Sequence, residues 1–415
     1  MSIPRRLSLG ITYWPRMSGY HMWQHYDRGA VREELAQIAT FGCTLVRFCL
    51  TWEVFQPGAE RLDTEAMRQL EHALDTAHET GLRTVVCLFP VAGGGALALP
   101  AWANGPDILG QLRSSGPRGH TLLVRPPGIT PVVSGGAYRP FQADDLYSGA
   151  LLEAQRYLVR EAIGYFGRHP ALDGRQLGEG FEHLQQPESA AAADAWLRTL
   201  AAEARRAYPH ARLIGMASQA NLMHATALRP EQLTIVYDTA AITVDPAELA
   251  PGQRHSDAPV FLHALMAGLT QRPTIVAGLG MPTAPREQSG WMTDQAYGRS
   301  IRRFMADEEG QAQYLATTLD RLWRAGAAGI WLAAYADHPP ELWRRAPLDR
   351  SVGYRSMGVV DRHGREKPAA ALLRRFAGEV AAHDTERPLP AAIDAEHYWR
   401  EPARRLAELW REFAV

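Results

Sequence analysis

The chain has 415 residues, 46% hydrophobic and 21% charged, which is ordinary for a soluble globular protein and enough for a large core. Lys plus Arg (44) nearly cancel Asp plus Glu (45), a formal net charge of −1, which leaves no electrostatic basis for binding nucleic acid or an anionic membrane surface. A carbohydrate or other neutral small molecule suits this balance.

The start, MSIPRRLSLGITYWP, passes from two arginines straight into an apolar strand-like run, with neither the h-region nor the small-residue cleavage site of a secretory signal. No run of eighteen apolar residues follows, so a cytoplasmic protein without a membrane span is expected. Cys43, Cys49 and Cys87 lie in strand-like runs with no metal or disulfide spacing, which predicts buried free thiols in a reducing compartment. No cofactor is expected.

In chain order, the strand candidates are LSLGITYW, TLVRFCL, RTVVCLFP, DGRQLGEG, ARLIGMA, LTIVYDT, PTIVAGL and AGIWLAAY, most of them separated by segments of helical period. Between the second and third, MRQLEHALDTAHETG places Leu70, Ala73, Leu74 and Ala77 on one face and Gly81 at a C-terminal cap. Before the eighth, QAQYLATTLDRLWRAG repeats this with Leu315, Leu319, Leu322 and Trp323, ended by Gly326. Strand then helix, eight times over, predicts an α/β fold, a (β/α)8 barrel of parallel strands. Two stretches interrupt the rhythm, from about Val91 to Gly149 and from about Thr283 to Asp307. They are expected to be long functional loops at the C-terminal face of the barrel. The barrel is predicted to span residues 1–385. An extension over 386–415 carries Leu406, Leu409, Trp410 and Phe413 at helical spacing, to pack on the barrel or on a second copy of the chain.

GITYWP, MWQHYD, VRFCLTWEVFQPG, FGRHPALDGRQLGEG, DEEGQAQYLATTLDRLWRAGAAGIW and MGVVDRHGREKPAAALL occur in this order across nearly the whole chain. Together they resemble successive landmarks of the clan A glycoside hydrolases, nearest the family 5 cellulase and mannanase type. The resemblance implies a retaining mechanism, with one glutamic acid after the fourth strand and a nucleophilic glutamate after the seventh, about 5–5.5 Å apart.

Neither place holds a carboxyl. The fourth-strand landmark, similar to L-G-N-E-P in the family, reads Leu177, Gly178, Glu179, Gly180, Phe181, so Glu179 stands at the asparagine and Gly180 at the acid. A slip of one residue lets Glu179 serve as the acid, with Glu182 a weaker substitute. The seventh landmark reads Pro273 to Gly280 with no carboxylate and places Gly278 at the nucleophile. On the sixth strand Thr243 and Asp245 occupy the places of the family's His and Tyr. On the eighth, Leu332 or Ala333 replaces the Trp that floors the sugar subsite, with Trp331 expected to point away. Arg47, which matches the arginine that braces the carboxylates, is retained, as are Tyr13, Trp14 and Trp52 with Glu53.

The expected function is therefore a glycoside-hydrolase-like barrel that binds carbohydrate or acts as a scaffold without hydrolysis. The predicted ligand-binding residues are Tyr13, Trp14, Arg47, Trp52, Glu182, Asp245, Trp291 and Asp337. An alternative is an active glycosidase on a β-linked glycoside with Glu179 as relocated acid and Asp238, Asp245, Glu287 or Asp337 as base, in an inverting pair about 6.5–9.5 Å apart. A second alternative is a different chemistry on the same barrel, since the fold hosts many. His21 and His25 have the spacing of a zinc pair on a helix, but the Gly and aromatic residues around them read as a loop with no third ligand, and no metal is expected.

Overall fold

Eight short runs rich in apolar residues pair side by side, all parallel, and close on themselves. In the computed structural model, which describes residues 7–105, 130–245, 256–382 and 389–413, the strands are β1 (Ser8–Thr12), β2 (Leu45–Cys49), β3 (Arg83–Cys87), β4 (Leu172–Gln176), β5 (Leu213–Ser218), β6 (Thr239–Thr243), β7 (Thr274–Leu279) and β8 (Gly329–Leu332). They neighbour one another in sequence order, and β8 closes on β1 with Gly329 opposite Ser8. Helices α1 (Arg28–Thr40), α2 (Thr64–Glu79), α3 (Gly149–Phe166), α4 (Ala190–Ala207), α5 (Pro230–Val236), α6 (Ala258–Thr270), α7 (Glu308–Arg324) and α8 (Pro368–Ala382) follow the strands in turn. This is the (β/α)8 barrel expected from the sequence. The predicted boundary at 385/386, the arginines at 5 and 6 and part of the segment after β3 (106–129) lie outside the described residues.

Strand alternation sorts the core into two layers. Leu45, Val85, Ile214, Met216, Ala241, Ile275, Ala277 and Trp331 fill the barrel interior. The residues between them pack outward against the helices. Trp331 is thus inside the barrel, with its indole nitrogen 3.4 Å from Ser8 at the start of β1. Gly10 makes room for it, since a Cβ there would come within 2.5 Å of its ring.

The helices form where the sequence gives them a cap and an apolar face. Asp63 accepts the Ala66 N–H at 2.9 Å to start α2, whose Leu70, Ala73, Leu74 and Ala77 are buried. Asp307 does the same for Gly310 at 2.7 Å in α7, which buries Leu315, Leu319 and Leu322.

One strand assignment is corrected. LTIVYDT, with its β-branched run, is helical through Val236, and the sixth strand is the following TAAIT. Pro230 opens that helix, and the Gln232 side chain accepts the Arg229 N–H at 2.7 Å. Leu233 and Val236 face the core while Ile235 is 66% exposed.

Of the two long segments, the first carries the hairpins Ala92–Gly93/Ala96–Leu97 and Pro131–Ser134/Ala137–Pro140, and the second the hairpin Gly290–Ala296/Arg299–Met305. At the C-terminus, α9 (Pro402–Phe413) lays Trp410 and Phe413 against Phe261 of α6, with ring centroids 4.9 and 5.5 Å away. None of the described helices is long and apolar enough to cross a membrane.

Candidate functional site

At the C-terminal ends of the strands a cavity of about 210 Å³ opens, large enough for a small ligand. Thr12, Arg47, Glu179, Thr243, Gly278 and Ala333 bring strand ends to it, and Trp14, Tyr20, Trp52, Tyr297 and Tyr354 supply aromatic walls. Trp14 packs on Tyr20 with centroids 4.8 Å apart, and Trp52 packs edge-on to Phe89 at 4.8 Å. Glu53 fastens the loop after β3, accepting the backbone N–H groups of Ala101 at 2.9 Å and Gly135 at 3.1 Å.

Among the described residues, two carboxylates lie buried in the wall, and donors from distant parts of the chain hold each. Glu179 takes the Thr243 hydroxyl on one oxygen at 2.7 Å and, on the other, the Arg47 guanidinium and the Gln176 amide. Arg47 also donates to Gln176 at 2.9 Å. Burial opposes the charge on Arg47, but the neighbouring Cys49 and Glu179 outweigh it and hold the guanidinium above its ordinary range.

The second carboxylate, Asp245, receives the Tyr297 hydroxyl at 2.6 Å and the Tyr354 hydroxyl, with the Arg303 guanidinium 3.6 Å away. Burial, with the Asp245 charge adding, pushes the Tyr354 phenol well above its usual value, so it stays a donor. Arg303 is fully buried and held by Asp294 at 2.7 Å, which also accepts the Val352 and Gly353 N–H groups. The turn Tyr297–Gly298 at the hairpin tip sets this up. Tyr297 takes φ 50°, donates its N–H to Gly95 at 2.6 Å and stacks on His183 at 5.0 Å. The loops after β3, β7 and β8 thereby interlock over the mouth.

No family model matches the chain, and no curated protein matches it either. Solved structures do. A GH5_18 protein from Streptomyces cattleya in complex with GlcNAc superposes with a TM-score of 0.69 at 19% identity, covering 92% of this chain and 82% of that one. A GH5_18 protein from Bifidobacterium longum subsp. longum ATCC 55813 gives 0.68 at 18%, over 93% and 81%. The fold is that of the GH5_18 glycoside hydrolases. An exo-β-1,4-mannosidase from Opitutaceae bacterium strain TAV5 also superposes at 0.68 and 19%, covering 91% of this chain and 60% of that one.

On this GH5_18-like frame, the position assigned to the family nucleophile, Gly278, lies on the cavity wall. It has φ 75° and sits at an irregularity in the β7–β8 register, and a Cβ there would lie 3.1 Å from the Val244 carbonyl. Gly180, assigned to the acid, has φ 82°, and its Cβ would come within 2.3 Å of Ala92. Both backbones favour glycine, so placing glutamate at either meets local strain whatever the width of the cleft. On β8 and just after it, Ala333 and Ala334 face the cavity while Leu332 packs outward. Trp331 points into the barrel rather than away, one layer below the mouth.

Of the predicted ligand-binding residues, Trp14, Arg47, Trp52 and Asp245 line the cavity beside Glu179, and four do not. Tyr13 is buried behind it, donating to Glu34 at 2.7 Å. Glu182 turns away beside His183, 4.0 Å off. Asp337 is locked to Lys367 at 2.8 Å, and burial raises its carboxyl to about 6. Trp291 is 55% exposed on the outer face of the hairpin, with Arg302 over its ring at 5.7 Å.

The relocated-base candidates thin out similarly. Asp238 precedes β6, where it accepts the Leu213 N–H at 2.8 Å at the opposite end of the barrel, and Glu287 is an exposed residue of a short helical turn. Only Asp245 of the four candidate bases reaches the cavity. His21 lines it, with burial holding its imidazole below the ordinary value, whereas His25 turns to Arg345 at 3.4 Å. Among the described residues no set of three His, Cys, Asp or Glu could hold a metal ion.

Sequence reasoning missed Tyr297, Tyr354 and Arg303. The alternation in GWMTDQAYGRSIRRFM about a Tyr-Gly turn is a hairpin signal that would have located Tyr297 and Arg303. Nothing local in SVGYRS marks Tyr354.

Proposed function

We propose that the mouth of this barrel is a binding cleft for a neutral carbohydrate and does not hydrolyse glycosides by the retaining route. The observation that carries the reading is the engagement of both buried carboxylates: Glu179 by Arg47, Gln176 and Thr243, and Asp245 by Tyr297, Tyr354 and Arg303. A retaining pair needs one carboxylate at the nucleophile position and one carboxylic acid with a proton to give. Here, among the described residues, the buried Glu179 and Asp245 are held by donors in the cavity wall, and the position assigned to the nucleophile by resemblance is a glycine. The aromatic walls and ring of hydroxyls remain suited to the apolar faces and hydroxyl groups of a sugar. Neighbours of the same fold include one in complex with GlcNAc.

The test is titration calorimetry with mono- and disaccharides of the gluco and manno series, alongside chromogenic aryl glycosides. Binding without turnover is expected. Glycoside hydrolysis by the unaltered protein that disappears in Glu179→Gln would overturn the proposal and favour the relocated pair of Glu179 and Asp245.

A further inference from the structure

The cavity floor also holds a thiol that sugar binding does not use, with a second one buried beside it. Cys49 ends β2 and Cys87 ends β3, and the two are direct partners in the parallel register. Alternation turns both inward, in step with Leu45 and Val85 of the barrel interior. Cys49 lines the cavity, while Cys87 is fully buried beside it. The third cysteine, Cys43, is buried elsewhere, and burial pushes its thiol up to about 12. The neighbouring Cys87 thiol and the Arg47 guanidinium, against burial, hold the Cys49 thiol below its ordinary range.

We propose that Cys49 and Cys87 are a reversible redox pair, a covalent switch in the floor of the cavity that closes when a hydroperoxide enters it. The Cys49 thiolate attacks one peroxide oxygen, which breaks the O–O bond and leaves a sulfenic acid and hydroxide. The Cys87 sulfur then attacks the Cys49 sulfur and water leaves, so that two thiols and one hydrogen peroxide give one disulfide and two waters. Each sulfur gives up one electron, and the peroxide oxygens take both. The partners are near enough for this: neighbouring strands lie about 4.7–4.9 Å apart, within the roughly 4.4–6.8 Å of Cα separation that a disulfide spans.

The usual separation is wider, about 5.5–6 Å, so closing the bond spreads the ends of β2 and β3, and a bond strained in this way is readily reduced. Arg47 lies two residues before Cys49 on the same strand and carries Glu179. The spread therefore reaches the ion pair in the cavity wall and couples the shape of the cleft to the redox state.

The folded protein is treated with equimolar hydrogen peroxide, unfolded in iodoacetamide, digested and mapped by mass spectrometry. A peptide joining Cys49 to Cys87, two hydrogens lighter than the sum and separated by dithiothreitol, is expected, with Cys43 fully alkylated. In Cys87→Ser, Cys49 should instead stop at a sulfenic acid that dimedone traps. Full alkylation of both cysteines after peroxide overturns the proposal. So does Cys49 oxidised to the sulfinic acid with Cys87 free, or a Cys87→Ser protein with no dimedone adduct at Cys49.

Discussion

Glu34 on α1 is a buried carboxyl whose protonation the fold must accommodate. It accepts the Tyr13 hydroxyl at 2.7 Å and the Arg16 N–H at 3.2 Å, and only 7% of the residue is exposed. Burial dominates these stabilising contacts and raises the carboxyl from its ordinary 4.5 to about 7. The folded chain therefore binds this proton more tightly than the unfolded chain does. Stability from this group is fully present below pH 4.5 and drains away as pH rises to 7. At about 1.4 kcal/mol per pH unit over that interval, the loss is about 3 kcal/mol by pH 8. Glu34→Gln keeps an oxygen to accept the Arg16 N–H, can turn its amide N–H toward the Tyr13 hydroxyl oxygen as the protonated carboxyl does, and cannot ionise. Urea unfolding of parent and variant at pH 4.5, 6 and 8 should show near-equal stability at the lowest pH and the variant ahead by up to ~3 kcal/mol at the highest. Asp337, also raised by burial, contributes equally to both proteins and cancels. Parallel stability curves, or a variant weaker at pH 8, would refute the reasoning.

Arg47→Met strands the Glu179 carboxylate in the barrel and should cost about 3–5 kcal/mol, whereas adding Glu179→Gln should recover most of it in urea titrations. Gly180→Ala should destabilise more than Gly278→Ala, because both lose a left-handed glycine but only the first drives a Cβ into Ala92, 2.3 Å away; the Gly278 change alone should cost about 1–2 kcal/mol. Trp410→Ala removes the ring seated on Phe261 and should speed hydrogen exchange across α9 with a loss of about 1–2 kcal/mol, leaving barrel strands protected.

Much of the barrel was legible because its signals are local. Seven of the eight strand candidates fall on barrel strands, and the apolar faces of α2 and α7 are buried as their spacing predicts. The failure at LTIVYDT has a definite cause. Thr234, Ile235 and Val236 favour a strand, but Pro230 and Gln232 start a helix whose Leu233 and Val236 have a core to cover, and packing overrides propensity. The site was legible by half. Arg47, Glu179, Trp14, Trp52 and Asp245 gather at the cavity, while Glu182 and Asp337, acids in loops near the strand ends, turn to private partners instead.

Composition and strand spacing are properties of the chain itself, and they determined the barrel. Only the tertiary structure decided which acids reach the cavity. A carboxylate's chemistry depends on the donors that reach it, and those donors come from far along the chain: Arg47 lies 132 residues from Glu179, and Tyr354 lies 109 from Asp245. Closure of the barrel brings such groups within hydrogen-bond distance and fixes which oxygens are occupied. No local pattern encodes that meeting.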